Sequence, residues 1–254
     1  MSGPLLIAYD GSDDAAHAIE CAGRLLAPKR ALVVHSFLGL SQMMLRSNVA
    51  VEDLDGPLAE AVEEFDAADA EEAERVAAEG AGLALAAGLQ ADRIVVTQRG
   101  KTWQALIAAA AKHQAAVIVT GARERARPAA APLGNVSHGL ATHSSVPLLV
   151  VPANDKVDQS NGVVVFSYDG SDHAKTAIEQ AGHLLAERSA LVLNVWQSWV
   201  SKIPEQHEAS VVVVGSRSLS ESSVTPDGTA TAVAHHAECP VLIVPPTGST
   251  PATA

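Results

Sequence analysis

The sequence predicts an α/β protein in which one chain carries two doubly wound open parallel sheets, the second of them reduced. The main observation is an internal repeat: segment 9–33 aligns without a gap to segment 168–192, and 17 of the 25 positions are identical. A second shared block lies at 117–152 and again at 211–246. A repeat of this size indicates a tandem pair of domains and not a solenoid.

The first copy contains short apolar runs bounded by turn residues, which is the pattern of buried strands. The runs are rich in β-branched residues and almost unbroken, as expected for strands covered on both faces. Helical patterns separate them, so crossover connections and a parallel sheet are predicted. The predicted strands of the first copy are 5–9, 31–36, 94–97, 117–120 and 147–151.

Four helices are predicted between these strands. Ser12 or Asp13 can cap the first helix, whose apolar residues recur at helical spacing. The segment 51–89 is rich in Ala and Glu and is predicted as a long helix with a solvated acidic face. Thr102 can cap a helix over 103–113, and a further helix is predicted at 135–142.

The second copy repeats the beginning and the end of the first copy but omits its middle. Asp10 and Gly121 are 111 positions apart, whereas their equivalents Asp169 and Gly215 are 46 apart, a difference of 65. This length matches the acidic helix, the third strand and most of the following helix. The sequence therefore predicts a domain at 1–153, a polar linker, and a truncated domain at 162–246.

Charge and hydropathy exclude several classes of function. The formal net charge of −12 argues against binding to nucleic acid or to an anionic membrane, because both need a basic surface. No apolar run approaches the ~20 residues of a membrane span, and the N-terminus lacks the basic and apolar regions of a signal peptide. The two cysteines, Cys21 and Cys239, fall at non-equivalent positions and are predicted to be reduced thiols. We therefore expect a cytoplasmic protein.

Polar and glycine residues follow the first and fourth predicted strands in both copies. In an open parallel sheet, ligands bind beyond the carboxyl ends of the strands, where the strand order reverses. The Asp10-Gly11-Ser12 turn and the loop that begins at Gly121 both lie there. A glycine loop that leads into a helix offers backbone N–H groups and a positive dipole end, so it can bind phosphate.

These residues resemble those of the universal stress protein family, and both copies carry the resemblance. It implies a Rossmann-like sheet with strand order 3-2-1-4-5 and helices on both faces. Nucleotide-binding members of the family carry G-x2-G-x9-G-[S/T] after the fourth strand and an Asp that contacts adenine after the first. The resemblance also implies that domains pair through their fifth strands, here 147–152 and 240–245 within one chain.

Carried over to the first copy, the adenine-contacting residue is Asp10, and Ser36 flanks the base. The loop reads Gly121-Ala-Arg-Glu124, nine residues, then Gly134-Asn135. The resemblance therefore implies the following candidate binding residues in the first copy: Ala8, Tyr9, Asp10, Ser36, Gly121, Arg123, Gly134, Asn135 and Val136.

In the second copy, Asp169 takes the place of the first aspartate and Val195 the flanking position. The loop reads Gly215-Ser-Arg-Ser218, nine residues, then Gly228-Thr229. The implied candidates are Ser167, Asp169, Val195, Gly215, Ser218, Gly228 and Thr229.

Both loops depart from the family motif at the middle glycine, which lets the backbone approach a phosphate closely. Ser218 is a mild change, since its hydroxyl can donate a hydrogen bond. Glu124 adds a repulsion of roughly 1 kcal/mol at 4 Å in water, which neighbouring arginines can offset. Asn135 replaces the terminal hydroxyl and keeps a donor.

The leading function is a stress-response regulator that binds ATP with Mg²⁺ as a signal, with no catalytic residues assigned. The alternative is a nucleotide-independent interaction or scaffold protein of the same fold, and a slow ATPase is a third hypothesis. The missing strand exposes the second strand of copy two as an edge, and a homodimer that covers this edge is a further hypothesis.

Other motifs are weaker. Gly100-Lys101-Thr102 resembles the end of a Walker loop but lacks the glycine five positions earlier. His138 and His143 are five residues apart, which does not suit a metal pair on a helix, so no metal site is predicted.

Overall fold

The structure is a computed structural model that describes residues 3–122, 133–153, 162–194, 209–216 and 229–246. Its strands are β1 (Leu5–Ala8), β2 (Arg30–Phe37), β3 (Gln90–Thr97), β4 (Val117–Gly121), β5 (Leu148–Val151), β6 (Val163–Tyr168), β7 (Ala190–Asn194), β8 (Ala209–Gly215) and β9 (Val241–Val244). Its helices are α1 (Asp13–Leu25), α2 (Leu40–Arg46), α3 (Gly56–Ala86), α4 (Thr102–Lys112), α5 (Asn135–His143), α6 (Asp172–Leu184) and α7 (Thr229–His236), with a 3-10 turn at Val51–Asp53.

The nine strands form one continuous sheet in the order β3-β2-β1-β4-β5-β9-β8-β6-β7. The first half has the predicted order 3-2-1-4-5, and every pairing within each half is parallel. The halves join through an antiparallel pairing of β5 with β9, in which Leu149 lies opposite Leu242. The predicted pairing through the fifth strands is thus confirmed, and it merges the two predicted sheets into one.

A second contact between the halves lies at the loops that follow α1 and α6. The Ala27 N–H donates to the Leu184 carbonyl at 2.7 Å, and the Ala186 N–H donates to the Leu25 carbonyl at 2.8 Å. These residues are repeat equivalents, 159 positions apart, so the two hydrogen bonds are related by a pseudo-twofold axis.

The Arg188 side chain strengthens this second contact. Its guanidinium donates to the Arg24 carbonyl in the first half and to the Ser210 hydroxyl in the second half, each at 3.0 Å. Burial lowers the pKa of the Arg188 guanidinium, which reflects its position between the halves.

Two apolar layers cover the sheet, and each layer runs across both halves. One packs α1, the second part of α3 and α6 against one face, and it includes Leu149 and Leu242 from the central strands. The other packs α4, α5 and α7 against the opposite face, and it includes Leu148 and Ile243. Because both layers cross the β5–β9 junction, the halves share a single core on each face.

The turn after the first strand of each half has the same geometry. Gly11 and Gly170 have φ values of 79° and 86°, a region that favours glycine. The next residue in each turn, Ser12 or Ser171, caps the following helix by accepting a backbone N–H, as predicted for Ser12.

Helices α4 and α5 are held together by an aromatic side chain. The Trp103 ring stacks on the His143 ring with centroids 4.4 Å apart. It also lies directly against Gly139, where a Cβ atom would overlap the ring. The glycine therefore permits the close approach of the two helices.

Several predicted boundaries differ from the observed ones. Strand β3 begins at Gln90 and not at 94, because Asp92 and Arg93 interrupt its apolar run at the exposed edge of the sheet. Thr102 is the first residue of α4 and not its cap; Lys101 occupies the cap position. Helix α2 and the 3-10 turn were not predicted.

The described part of the second half lacks a third strand, as predicted. Among its described residues, β7 is the last strand of the sheet, in the position expected after loss of a third strand. The linker at 154–161 and the segment 195–208 that joins β7 to β8 lie outside the described residues. Within the described part, no helix combines the length and apolar character needed to cross a membrane. Cys21 and Cys239 are both buried and form no disulfide.

Replacing Arg188 by alanine (Arg188→Ala) removes its hydrogen bond across the halves to the Arg24 carbonyl and its hydrogen bond to Ser210 within the second half. The variant should lower the free energy of unfolding by about 1–2 kcal/mol. Urea denaturation measures the change. Arg93→Ala is the matched control, since Arg93 makes only an exposed ion pair with Glu74, worth at most ~0.5 kcal/mol. Equal losses in both variants would contradict a special role for Arg188.

Gly139→Ala should displace Trp103 and destabilise the protein by about 1–3 kcal/mol, because the added methyl group has no room. Thermal denaturation and tryptophan emission report the change. Gly82→Ala, within α3 and with open space around the added methyl, should instead stabilise by about 0.5–1 kcal/mol. A neutral Gly139→Ala variant would show that the helices are not held at this contact.

Candidate functional site

A cavity of about 1140 Å³ lies at the carboxyl ends of β1, β2 and β4, and helices α4 and α5 begin at its wall. This is the point at which the strand order of the first half reverses. The parallel registers place Ala8 beside Val34 and Ile7 beside Val119, so the three strands run to the same edge of the sheet, and β2 extends three residues beyond the end of β1.

The cavity brings together seven of the nine residues predicted for the first half. They are Ala8, Tyr9, Asp10, Ser36, Gly121, Asn135 and Val136. Of the other two, Gly134 caps α5 next to the cavity wall, and Arg123 lies outside the described residues. Residues from three strands, one turn and one helix thus meet at one place.

Asp10 holds its own turn and keeps one oxygen for a ligand. Its Oδ1 accepts hydrogen bonds from the Ser12 backbone N–H at 3.0 Å and from the Ser12 hydroxyl at 2.5 Å. Its Oδ2 has no hydrogen-bond partner among the described residues, and the side chain is exposed. An exocyclic amine or a ribose hydroxyl could donate to this oxygen.

Ser36 is tied to the end of the neighbouring strand. The Gln98 Nε2 donates to both the carbonyl and the hydroxyl oxygen of Ser36, each at 3.2 Å. Gln98 also lines the cavity. The sequence identified Ser36 but not Gln98, which lies in a polar loop that only the first copy has.

Tyr9 lines the cavity, as predicted, but its ring packs against α3. The hydroxyl donates to Glu79 at 2.8 Å, and a Cβ on Gly80 would lie 2.6 Å from the ring. The Tyr9 carbonyl accepts a hydrogen bond from His35 Nδ1 at 2.9 Å. Because a carbonyl only accepts, the proton sits on Nδ1 of His35, a cavity residue that sequence reasoning missed.

The glycine loop after β4 is closed at its base. The Gly134 N–H donates to the Ala122 carbonyl at 2.8 Å, and the buried Ser137 hydroxyl donates to the Gly121 carbonyl at 2.8 Å. A Cβ on Gly121 would lie 3.1 Å from the Asp14 backbone, so a side chain there would crowd the start of α1. These contacts place the first turn of α5, with its positive dipole end, at the cavity wall.

The start of α4 and the end of α2 bring positive charge to the cavity that sequence reasoning did not assign to the site. Lys101 and Thr102 begin α4 and line the cavity, with Trp103 beside them. Arg46 of α2 also lines it and donates to the Gly100 carbonyl. The available signal was topological: any loop that follows β3 lies at the carboxyl edge of the sheet.

In the second half, Asp169 repeats the Asp10 turn by accepting the Ser171 N–H at 2.9 Å. The Ser167 hydroxyl donates to the Val213 carbonyl, and Gly215 lies close to the start of α6. Thr229 begins α7. The remaining predicted residues, Val195, Ser218 and Gly228, lie outside the described residues, and the described residues that line the cavity all belong to the first half.

The second half nevertheless touches the glycine loop of the first. The Leu133 N–H donates to Nδ1 of His235 in α7 at 3.2 Å. The His138 and His235 rings lie 6.1 Å apart. No group of three or more His, Cys, Asp or Glu side chains in the described ranges could hold a metal ion.

Solved structures share this architecture. A universal stress protein from Archaeoglobus fulgidus is 19% identical, with a TM-score of 0.67 over 96% of this chain and 99% of that one. A protein of unknown function from Pseudomonas aeruginosa PAO1 is 12% identical, with a TM-score of 0.58 over 96% of this chain and 92% of that one. At these identities the likeness shows the fold alone.

A universal stress protein in complex with cAMP is 21% identical and covers 59% of this chain and 98% of its own length. Its TM-score of 0.41 carries no argument about a ligand of the present chain. No curated protein matches the sequence significantly.

The universal stress protein family matches residues 1–152, which comprise β1 to β5 and all the described residues that line the cavity. The match covers more than half of the chain and agrees with the resemblance carried by the Asp10 turn and the Gly121 loop. The chain therefore belongs to the universal stress protein family.

Proposed function

We propose that this protein is a cytoplasmic stress-response regulator that binds an adenine nucleotide in the cavity of its first half. The observation that carries the proposal is the convergence of Asp10, Ser36, Gly121 and Asn135 on one cavity from four separate parts of the chain. A ligand with a polar base and a phosphate group suits such a wall, because hydrogen-bonding and anion-attracting groups lie at different ends of it.

The base would lie near Asp10, whose Oδ2 can accept a hydrogen bond from an exocyclic amine. The phosphates would lie near the first turn of α5, where the helix dipole favours an anion. Lys101 and Arg46 add positive charge to the cavity lining. Mg²⁺ would accompany ATP and be held mainly by the phosphates and water, since the described residues offer no metal cluster.

We propose that the nucleotide acts as a signal and not as a substrate. In the proposed pose Asp10 lies at the base of the nucleotide and not at its phosphates, and the His35 ring is held by its Nδ1–H bond to the Tyr9 carbonyl. A general base needs a free atom aligned with an attacking water. Phosphate release from ATP with Mg²⁺ should therefore stay at the level of a protein-free control, and a steady release lost in Asp10→Ala would overturn this part of the proposal.

Binding itself is tested by titration calorimetry with ATP and Mg²⁺. Asp10→Ala should weaken ATP binding by about tenfold to a hundredfold, the loss of a hydrogen bond to a charged group. Asp169→Ala is the matched control, because it removes the same turn contact in the second half. It should leave the affinity unchanged and the stoichiometry at one nucleotide per chain.

Two other results would decide against the proposal as stated. Absence of binding in millimolar ATP would favour a nucleotide-independent scaffold of the same fold. Two equivalents of ATP per chain, with one lost in Asp169→Ala, would place a second site in the truncated half.

A further inference from the structure

We propose that the exposed apolar face at the start of α3 is a docking surface for a basic amphipathic helix of a partner protein. The surface consists of Leu58, Ala61, Phe65 and Ala68. It lies outside the cavity, and the proposal does not depend on nucleotide binding.

The two parts of α3 are packed differently. The helix is 31 residues long, yet Val62 is its only buried residue between 56 and 72. From Ala73 to Ala84, six residues are buried against the sheet and α1. The first half of the helix is therefore not needed to cover the core, and its sequence is free to serve another purpose.

The four residues of the surface recur at spacings of three and four, which places them on one side of the helix. The Leu58 side chain is 52% exposed and the Phe65 side chain 62% exposed. Burying apolar side chains of this size favours association, so an exposed pair on one helix face suits a partner that adds a second helix.

Carboxylates border this face on both sides. The segment 56–72 carries seven acidic residues and no basic one: Glu60, Glu63, Glu64, Asp66, Asp69, Glu71 and Glu72. Arg75 is the single basic residue of α3, and it pairs with Glu72 at 2.6 Å. A second copy of this chain would bring like charges together, whereas a helix with Lys or Arg beside its apolar seam would be attracted.

The neighbouring helix α2 extends the apolar character of this region. Met43 and Leu45 are more than half exposed. The Ser41 N–H donates to the Asp66 carboxylate at 3.2 Å, which fixes α2 on α3. Arg46 of the same helix lines the cavity, so α2 contacts both α3 and the cavity wall.

The deletion leaves one such surface per chain. The acidic helix lies in the segment that the second copy omits. A partner helix should therefore bind with a stoichiometry of one per chain.

The proposal is tested with a synthetic labelled peptide of three heptads, with Leu at the a and d positions and Lys at e and g. Fluorescence anisotropy against the full chain measures the affinity. We expect one peptide per chain and a loss of affinity of about tenfold or more in Phe65→Glu, as for a central anchor residue. Leu58→Glu provides an independent second variant on the same surface.

Leu85→Glu is the matched control, since Leu85 is 59% exposed on the same helix but outside the surface. It adds the same charge and should leave the affinity unchanged. Equal weakening in Phe65→Glu and Leu85→Glu would overturn the proposal. So would equal binding of a peptide with Ser at a and d, since that would show charge attraction without a seam. Sedimentation that shows a dimer dissolved by Phe65→Glu would assign the face to a second copy instead.

Discussion

The antiparallel pairing of β5 with β9 is the contact on which the rest of the architecture depends. Without it, each half-sheet would present an apolar edge strand to water, with a row of unpaired backbone groups. With it, each of the two apolar layers continues across the β5–β9 junction from one half-sheet into the other. The truncated half thereby gains the core area that a domain of four strands would not have alone. Strand β9, the equivalent of β5, is therefore more important to the fold than the cleft residues of the second half.

The order of the strands was implied by the resemblance to the family. Most strands could be predicted because they are apolar runs between turn residues, and because the repeat shows all but the third of them twice. The turns at Asp10 and Asp169 were predictable for the same reason, since only glycine fits the left-handed position that follows. Helix α2 could not be predicted: it is seven residues long and buries no residue, so it has no apolar stripe to reveal it.

The cavity was predicted in part. Residues on repeated motifs were found, whereas Gln98, Lys101 and Trp103 were missed because they lie in a region present in one copy only. Tyr9 illustrates a different limit. A residue at the end of a strand can face either apolar layer. The Tyr9 hydroxyl binds Glu79 of α3, which is 70 positions away along the chain. Periodicity carries no information about such a partner.

The loops after α1 and α6 form two equivalent hydrogen bonds across a pseudo-twofold axis, as two identical chains would in a dimer. A fused chain differs from such a dimer in one respect. Lys29 and Arg188 are repeat equivalents, 159 positions apart, and both lie beside this pseudo-twofold axis. Lys29 caps its own helix by donating to the Gly23 carbonyl, whereas Arg188 reaches across to the other half. In a homodimer, both chains have the same sequence, so the two equivalent positions would carry the same residue. Fusion lets one side of the axis acquire a crossing contact while the other keeps a local one, so pseudo-symmetric positions are where further specialisation of this chain can begin.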